Sequence, residues 1–275
     1  MRLKKEDTLI RKDYHIHTSY SDDCSIPMEK MIESAINKGL TEIALTDHVD
    51  FDSSYSLTVE AVDYDKYTKE FSYLKDKYKD KIDLLLGVEI GLSHVSQTEI
   101  ASFLSGRPFD FVIGSIHSVD GSDVYLDSNS LGKSQRQTYT DYFESVLKCS
   151  AMMDCYDVFG HLDYINRYGS FKDRILNYRD YSDIIDEILK TVIDKGKGFE
   201  INTSGYRYGL DQLHPQVDII KRYKELGGEI LTIGSDSHKP QDIAADFDTV
   251  YAVLQSLGIR YLAEFRQRKA VMYKI

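Results

Sequence analysis

The chain has 275 residues, 42% of them apolar and 29% charged, with a net charge of −11 and a pI near 5.2. Such a composition excludes a disordered chain, and the length suits one α/β barrel as well as two small domains. The acidic balance disfavours broad electrostatic binding to nucleic acid or anionic membrane, while carboxylates in excess are what a cluster of cations needs.

Cys24, Cys149 and Cys155 form no framework spacing, which argues against a disulfide scaffold and for a reducing, cytoplasmic setting. The first seven residues are charged and lack the apolar core of a signal peptide. No apolar run approaches the roughly 18 residues of a membrane span. Repeats, low-complexity tracts and linkers are absent, so residues 1–275 are expected to form a single barrel domain.

In chain order, Asp13-Tyr14-His15-Ile16-His17 reads as a short strand whose alternation sends His15 and His17 to one face. Residues 18–26 are polar and turn-like, and Pro27 opens a helix carried by Met28, Met31, Ile32, Ala35 and Ile36 and ended by Gly39. A buried strand over 42–46 delivers Asp47 and His48. A tyrosine-bearing loop (49–60) leads to a charged helix (61–79), then to a strand (82–90) with Glu89 near its end. After a short helix (96–104) comes the strand 109–116, ended by His117. A long polar loop (118–133) precedes a helix over 134–152, and a short strand at 158–160 ends in His161. The rest reads as helix 178–195, strand 198–202, helix 215–226, strand 229–233, helix 240–256 and a closing segment around 259–273.

Apolar runs alternating with helical patterns indicate βα units and a parallel sheet. Seven units without a glycine-rich dinucleotide motif favour an α/β fold of the TIM-barrel type, a distorted seven-stranded (β/α)7 barrel, over an open sheet. His15, His17, His48, Glu89, His117, His161, Asp236 and His238 all fall at the C-terminal ends of strands, which converge on one mouth in such a barrel. Imidazoles with carboxylates suit Zn, Mn or Fe ions rather than a thiolate zinc or a calcium site. So many ligands exceed the needs of one tetrahedral ion, so two or three ions sharing a bridging carboxylate are expected. Such a pair can clamp a phosphoryl oxygen and hold a hydroxide for in-line attack.

The motifs His15-Ile16-His17-Thr18, Thr46-Asp47-His48, Gly87-Val88-Glu89, Gly114-Ser115-Ile116-His117, Gly160-His161 and Ser235-Asp236-Ser237-His238 resemble the polymerase and histidinol phosphatase (PHP) superfamily, over residues 13 to about 245. With the stretch Glu200–Gly205, the chain is most similar to the stand-alone phosphatase branch. That resemblance implies hydrolysis of L-histidinol phosphate to L-histidinol and phosphate in histidine biosynthesis, at a centre of three divalent metal ions. It implies one ion on His15, His17, Glu89 and Asp236, and a second on Glu89, His117 and His161. A third falls to His48, His238 and Asp23, where many relatives carry histidine; Asp22 is the alternative to Asp23. Asp47 is expected to orient a ligand rather than bind.

For the phosphate, Arg207 is the candidate clamp because a guanidinium offers a bidentate fork, against its reading as a surface arginine. Arg136, Arg167 and Lys239 are weaker candidates. His94 and His214 default to structural or solvent-facing roles, and His94 is also a candidate proton donor to the leaving alkoxide or a substrate contact. The expected partner is a small phosphate ester, with no nucleic acid and no membrane; nothing in the sequence sets the oligomeric state. Rival readings are a related phosphoesterase acting on nucleotides or oligonucleotide ends, an amidohydrolase, which would need a bridging lysine not found here, and a non-catalytic metal-stabilised binding module.

Overall fold

The structure, a computed structural model, describes residues 10–51, 63–125, 132–168 and 171–275. Its strands are β1 (Lys12–Ile16), β2 (Glu42–Leu45), β3 (His48–Val49), β4 (Asp83–Gly91), β5 (Phe111–Ser115), β6 (Ser118–Val119), β7 (Ser122–Asp123), β8 (Val158–Phe159), β9 (Gly198–Asn202), β10 (Leu231–Gly234), β11 (Tyr261–Arg266) and β12 (Lys269–Lys274). The order β1-β2-β4-β5-β8-β9-β10 is parallel throughout. Its ends meet where His17 N–H donates to Ser237 O (2.9 Å) and Ser237 N–H to His15 O (3.2 Å), which nearly closes a seven-stranded barrel. Asp13 secures that seam from outside the barrel: its carboxylate accepts from Ser235 N–H (2.9 Å), Ser235 O–H (2.5 Å) and Ala244 N–H (2.9 Å).

Eight α-helices accompany the strands among the described residues: α1 (Met28–Asn37), α2 (Tyr64–Tyr78), α3 (Gln97–Leu104), α4 (Gln135–Met152), α5 (Ser182–Asp194), the single turn α6 (Ser204–Arg207), α7 (Val217–Glu225) and α8 (Phe247–Ser256). Their starts follow local chemistry. Asp63 caps α2 by accepting from Lys66 N–H (3.0 Å), and Ser134 caps α4 by accepting from Gln137 N–H (3.2 Å). None of the described helices is long and apolar enough to cross a membrane.

Strand alternation sorts the core into two layers. Leu84, Leu86, Val88 and Ile90 of β4 face outward into the large cluster shared with the helices, while Leu85 belongs to a second cluster with Tyr14, Ala44, Phe111, Ile113 and Val158 inside the barrel. On β1 the alternation breaks. Lys12, Asp13 and Ile16 pair with Glu42, Ile43 and Leu45, so two residues of β1 oppose Ala44 alone. This bulge lets Tyr14 and His15 both turn inward, the first to fill the barrel and the second to face the mouth.

Three expectations change. The helix expected over 240–256 starts only at Phe247, because a short 3-10 turn at Pro240–Asp242 is followed by Ala244 and Asp246 at positive φ (52° and 61°), which helical geometry forbids. The loop expected over 118–133 contains the hairpin β6–β7, with 126–131 outside the described residues; 52–60 of the loop 49–60 and 61–62 of the next helix also lie outside them. The closing segment is an antiparallel hairpin, β11–β12, whose Ala263 and Phe265 join the interior cluster. Phe265 packs on Phe111 at 4.9 Å between ring centroids and donates its N–H to Tyr14 Oη (3.2 Å), so the hairpin stops the end of the barrel away from the mouth.

Candidate metal centre

The inward positions nearest the strand ends are polar, and they converge on Glu89 of β4. Its Oε2 lies 3.0 Å from His15 Nε2, 3.5 Å from His17 Nε2 and 3.0 Å from His48 Nδ1. Its Oε1 lies 2.9 Å from His161 Nε2 and 3.3 Å from His117 Nε2, and accepts from Ser115 O–H (2.6 Å). One fully buried carboxylate thus faces two separate groups of imidazoles. Burial works to raise its pKa, but His15, His48 and His117 together outweigh that and hold it well below the ordinary range.

Asp236, at the end of β10, divides its oxygens in the same way. Oδ2 accepts from Arg167 Nη2 (2.8 Å) and Ser204 Oγ (3.2 Å), while Oδ1 lies 3.5 Å from His17 Nε2 and 3.6 Å from His238 Nδ1. Burial again opposes ionisation, and Arg167 and His15 lead the groups that overcome it. His48 and His238 flank Asp23, whose Oδ2 lies 3.7 and 2.8 Å from their Nε2 atoms. Of the two neighbouring aspartates, Asp23 reaches the imidazoles, whereas Asp22 only lines the cavity above.

The outer nitrogens of these rings are held by groups that fix their tautomers. His15 Nδ1 meets Glu200 Oε1 at 2.5 Å, His117 Nδ1 meets Asp50 Oδ1 at 2.9 Å, and His17 Nδ1 meets Ser21 Oγ at 3.1 Å. Ser21 in turn donates to Asp47 (2.8 Å), which also accepts from Thr18 N–H and O–H, so Asp47 acts on His17 through Ser21 and stays out of the cluster. Glycines make room for these groups: a Cβ at Gly91 would collide with the Asp50 carboxylate, and one at Gly234 with Glu200.

The donor set fits metal ions. His17 Nε2, His48 Nδ1 and His238 Nε2 are buried nitrogens without a hydrogen-bond partner, although each lies within ion-pair reach of a carboxylate. Lone pairs and carboxylate oxygens that converge without aiming at one another suit a shared cation better than a hydrogen bond. Compact donor groups form at His15/His17/Glu89, at Glu89/His117/His161, at His17/His48/His238 and at His48/Asp50/His117. All the donors are imidazole or carboxylate, the chemistry of zinc, manganese or iron sites.

A cavity of about 330 Å³ opens over the cluster, lined by His48, His117, His161, Asp236 and His238 and walled by Tyr164, Arg167, Tyr168 and Tyr208. Two expectations are corrected here. Arg207 does not line this cavity; its Nη2 donates to the Ser235 and Asp236 carbonyls (2.6 and 2.8 Å), and it braces the backbone that presents Asp236. The arginine at the cavity is Arg167, because the chain after β8 turns back over the mouth in a 3-10 turn (Tyr164–Arg167). His94 lies three residues beyond the end of β4 on the way to α3, its carbonyl accepting from Gln97 Nε2, and it too is absent from the cavity wall. Arg136 and Lys239 are exposed, and Cys24 gives its thiol to the His238 carbonyl (3.3 Å). No role for Glu200, Asp50, Ser21 or Asp163 follows from the sequence motifs. Glu200 had a signal, an acid at an inward position of an otherwise apolar strand; the others sit on loops whose paths the sequence does not show.

Fold and site together define a metal-dependent hydrolase barrel of the kind that handles phosphate esters. The PHP domain model matches residues 13–204, and the chain belongs to the PHP family. It is 35% identical over 251 residues to a probable histidinol-phosphatase of Clostridium acetobutylicum, covering 90% of this chain and 94% of the relative. It is 32% identical over 263 residues to the histidinol-phosphatase of Lactococcus lactis, covering 94% and 95%. The crystal structure of the Lactococcus lactis histidinol phosphate phosphatase complexed with zinc, L-histidinol and phosphate superposes with a TM-score of 0.89 at 30% identity, covering 95% of this chain and 98% of that one.

Proposed function

We propose that this chain is a single-domain phosphomonoesterase that hydrolyses L-histidinol phosphate to L-histidinol and phosphate in histidine biosynthesis, using three divalent metal ions. The observation that carries this reading is Glu89, one buried carboxylate whose two oxygens face separate imidazole groups beneath a cavity with an arginine in its wall. The relatives named above support the substrate assignment.

His15, His17, Glu89 and Asp236 would hold one ion, Glu89, His117 and His161 a second, and His48, His238 and Asp23 a third. When bound, the ions supply Lewis-acid charge to the phosphoryl oxygens and lower the pKa of water for in-line attack. The chain's own residues do the remaining work. Glu200, Asp50 and Ser21 hold the N–H of His15, His117 and His17 at Nδ1, so that Nε2 is the nitrogen that faces the cluster. Arg167 offers the guanidinium for a phosphoryl oxygen. Tyr168 and Tyr208 give flat apolar walls for an imidazole ring, and Asp22 and Asp123 line the same cavity as carboxylates suited to a cationic amine. The absence of disulfides among Cys24, Cys149 and Cys155 fits a cytoplasmic enzyme.

Steady-state phosphate release tests the reading, with L-histidinol phosphate compared against p-nitrophenyl phosphate, nucleoside monophosphates and a short oligonucleotide. A large kcat/KM preference for L-histidinol phosphate, abolished by chelation and restored by zinc or manganese, is expected. Equal rates on all substrates, or faster cleavage of the nucleotides, would overturn the substrate; no hydrolysis by the metal-loaded protein would overturn the enzyme.

A further inference from the structure

His214 is fully buried and plays no part in the metal cluster, yet both its ring nitrogens are engaged. Nδ1 lies 2.5 Å from Oδ1 of Asp163, itself fully buried, whose Oδ2 accepts from Gln216 N–H (3.1 Å). Nε2 lies 3.3 Å from Nε of Arg167. An arginine Nε carries a hydrogen and can only donate, so His214 must present a lone pair there and carry its proton on Nδ1, toward Asp163. A doubly protonated ring would set N–H against N–H and cation against cation in a dry interior.

The other contacts of Arg167 show what this orientation accomplishes. Nη2 reaches Asp236 Oδ2 (2.8 Å) and Ser204 Oγ, and the guanidinium lies between the rings of Tyr164 (4.8 Å) and Tyr208 (4.6 Å). A guanidinium beside a carboxylate tends toward a two-pronged pair that uses both oxygens. By occupying Nε, His214 holds Arg167 to one oxygen of Asp236 and leaves Oδ1 for the imidazoles. The Nη1 edge then remains for an anion in the cavity that Arg167 lines.

We propose that Asp163 and His214 form a positioning pair that sets the roll of the Arg167 guanidinium, and thereby the affinity of the site for a phosphoryl group. The pair touches neither substrate nor metal and acts only through Arg167. This inference rests on the assignment of Arg167 to the phosphoryl group made above.

The test uses the zinc-loaded full chain and reads kcat and KM for L-histidinol phosphate, the inhibition constant for inorganic phosphate, and zinc content. His214→Phe should raise the phosphate inhibition constant and KM roughly tenfold, the scale of one charge-assisted hydrogen bond, at unchanged zinc content. His214→Gln, whose carbonyl can accept the Arg167 Nε hydrogen, should recover most of that loss. In an Arg167→Ala background His214→Phe should add less than about a twofold change, because a residue acting through another has nothing further to remove. Multiplying effects in the double variant, or a wild-type inhibition constant in His214→Phe, would overturn the pair's role. An unchanged constant in Arg167→Ala alone would instead overturn the assignment of Arg167, and the inference with it. Should His214→Phe fail to fold or to hold zinc, Asp163→Asn carries the same comparison, since it removes the charge that fixes the tautomer.

Discussion

Glu200 Oε1 lies 2.5 Å from Nδ1 of His15, and this pair decides which nitrogen of His15 faces Glu89. The other Glu200 oxygen accepts from His161 N–H (3.0 Å) and Asn202 Nδ2 (3.0 Å), so one acid inside the barrel ties together β9, the end of β8 and the first ligand strand. Glu200→Gln keeps the shape and loses the charge. Metal affinity should fall roughly 10–100-fold with the fold intact, as for other partners that orient metal-binding histidines. Metal titration with circular dichroism checks this, and wild-type zinc affinity would contradict it.

Glu89→Gln removes the shared carboxylate from both imidazole groups at once. Activity should fall by roughly 10³-fold or more, with bound metal lost from two sites rather than one. Elemental analysis of the purified variant reads the stoichiometry directly; retention of the wild-type metal content would show that Glu89 does not bridge.

Asp23 and Asp22 separate cleanly. Asp23→Ala should lower bound metal by about one ion per chain, because its carboxylate alone of the two reaches His238 and His48. Asp22→Ala should leave metal content unchanged and act, if at all, on substrate KM. The reverse pattern would transfer the ligand role to Asp22.

The cluster also predicts how stability depends on pH when the ions are chelated. Burial opposes protonation of His48, yet Glu89 and Asp23 push its imidazole up to about 9, and His15 and His117 are raised as well. A folded-state pKa above the unfolded value stabilises fully below about 6.5, and that contribution is lost as pH rises through about 9. The lowered groups, His17, His161, Glu89 and Asp236, exert their effects below that window. The chelated protein should therefore lose thermal stability from pH 6.5 to 9. The zinc-loaded protein should not, since zinc takes the neutral imidazoles and binds more tightly as pH rises. Parallel melting curves across that range decide it.

At the opposite end of the barrel, Phe265→Ala should cost about 3–5 kcal/mol by opening a cavity among Phe111, Tyr14 and Ala263. For a chain of this size that lowers Tm by roughly 6–15 °C. Metal content should stay at the wild-type value, because these side chains lie below the ligand layer of the same strands. A variant that melts normally would show that the hairpin does not close the barrel.

Apart from Asp23, which lies in a polar turn, the candidate ligands were legible in the sequence because each lies at the end of an apolar run, and the ends of parallel strands in a barrel converge whatever the loops do. Strand alternation likewise placed His15 and His17 on one face, although Tyr14 joins them only through a bulge that no periodicity announces. Apart from Glu200 on β9, what the sequence left open lies off the strands. Arg207 and Arg167 read alike as single arginines after a strand, and only the folded loops decide that one grips the Ser235 and Asp236 carbonyls while the other enters the cavity. Asp163 and His214, 51 residues apart, give no local sign of their pairing. Local residue order determines periodicity and strand ends, and so the candidate metal cluster; contacts between distant loops depend on backbone paths that only the packed tertiary structure supplies.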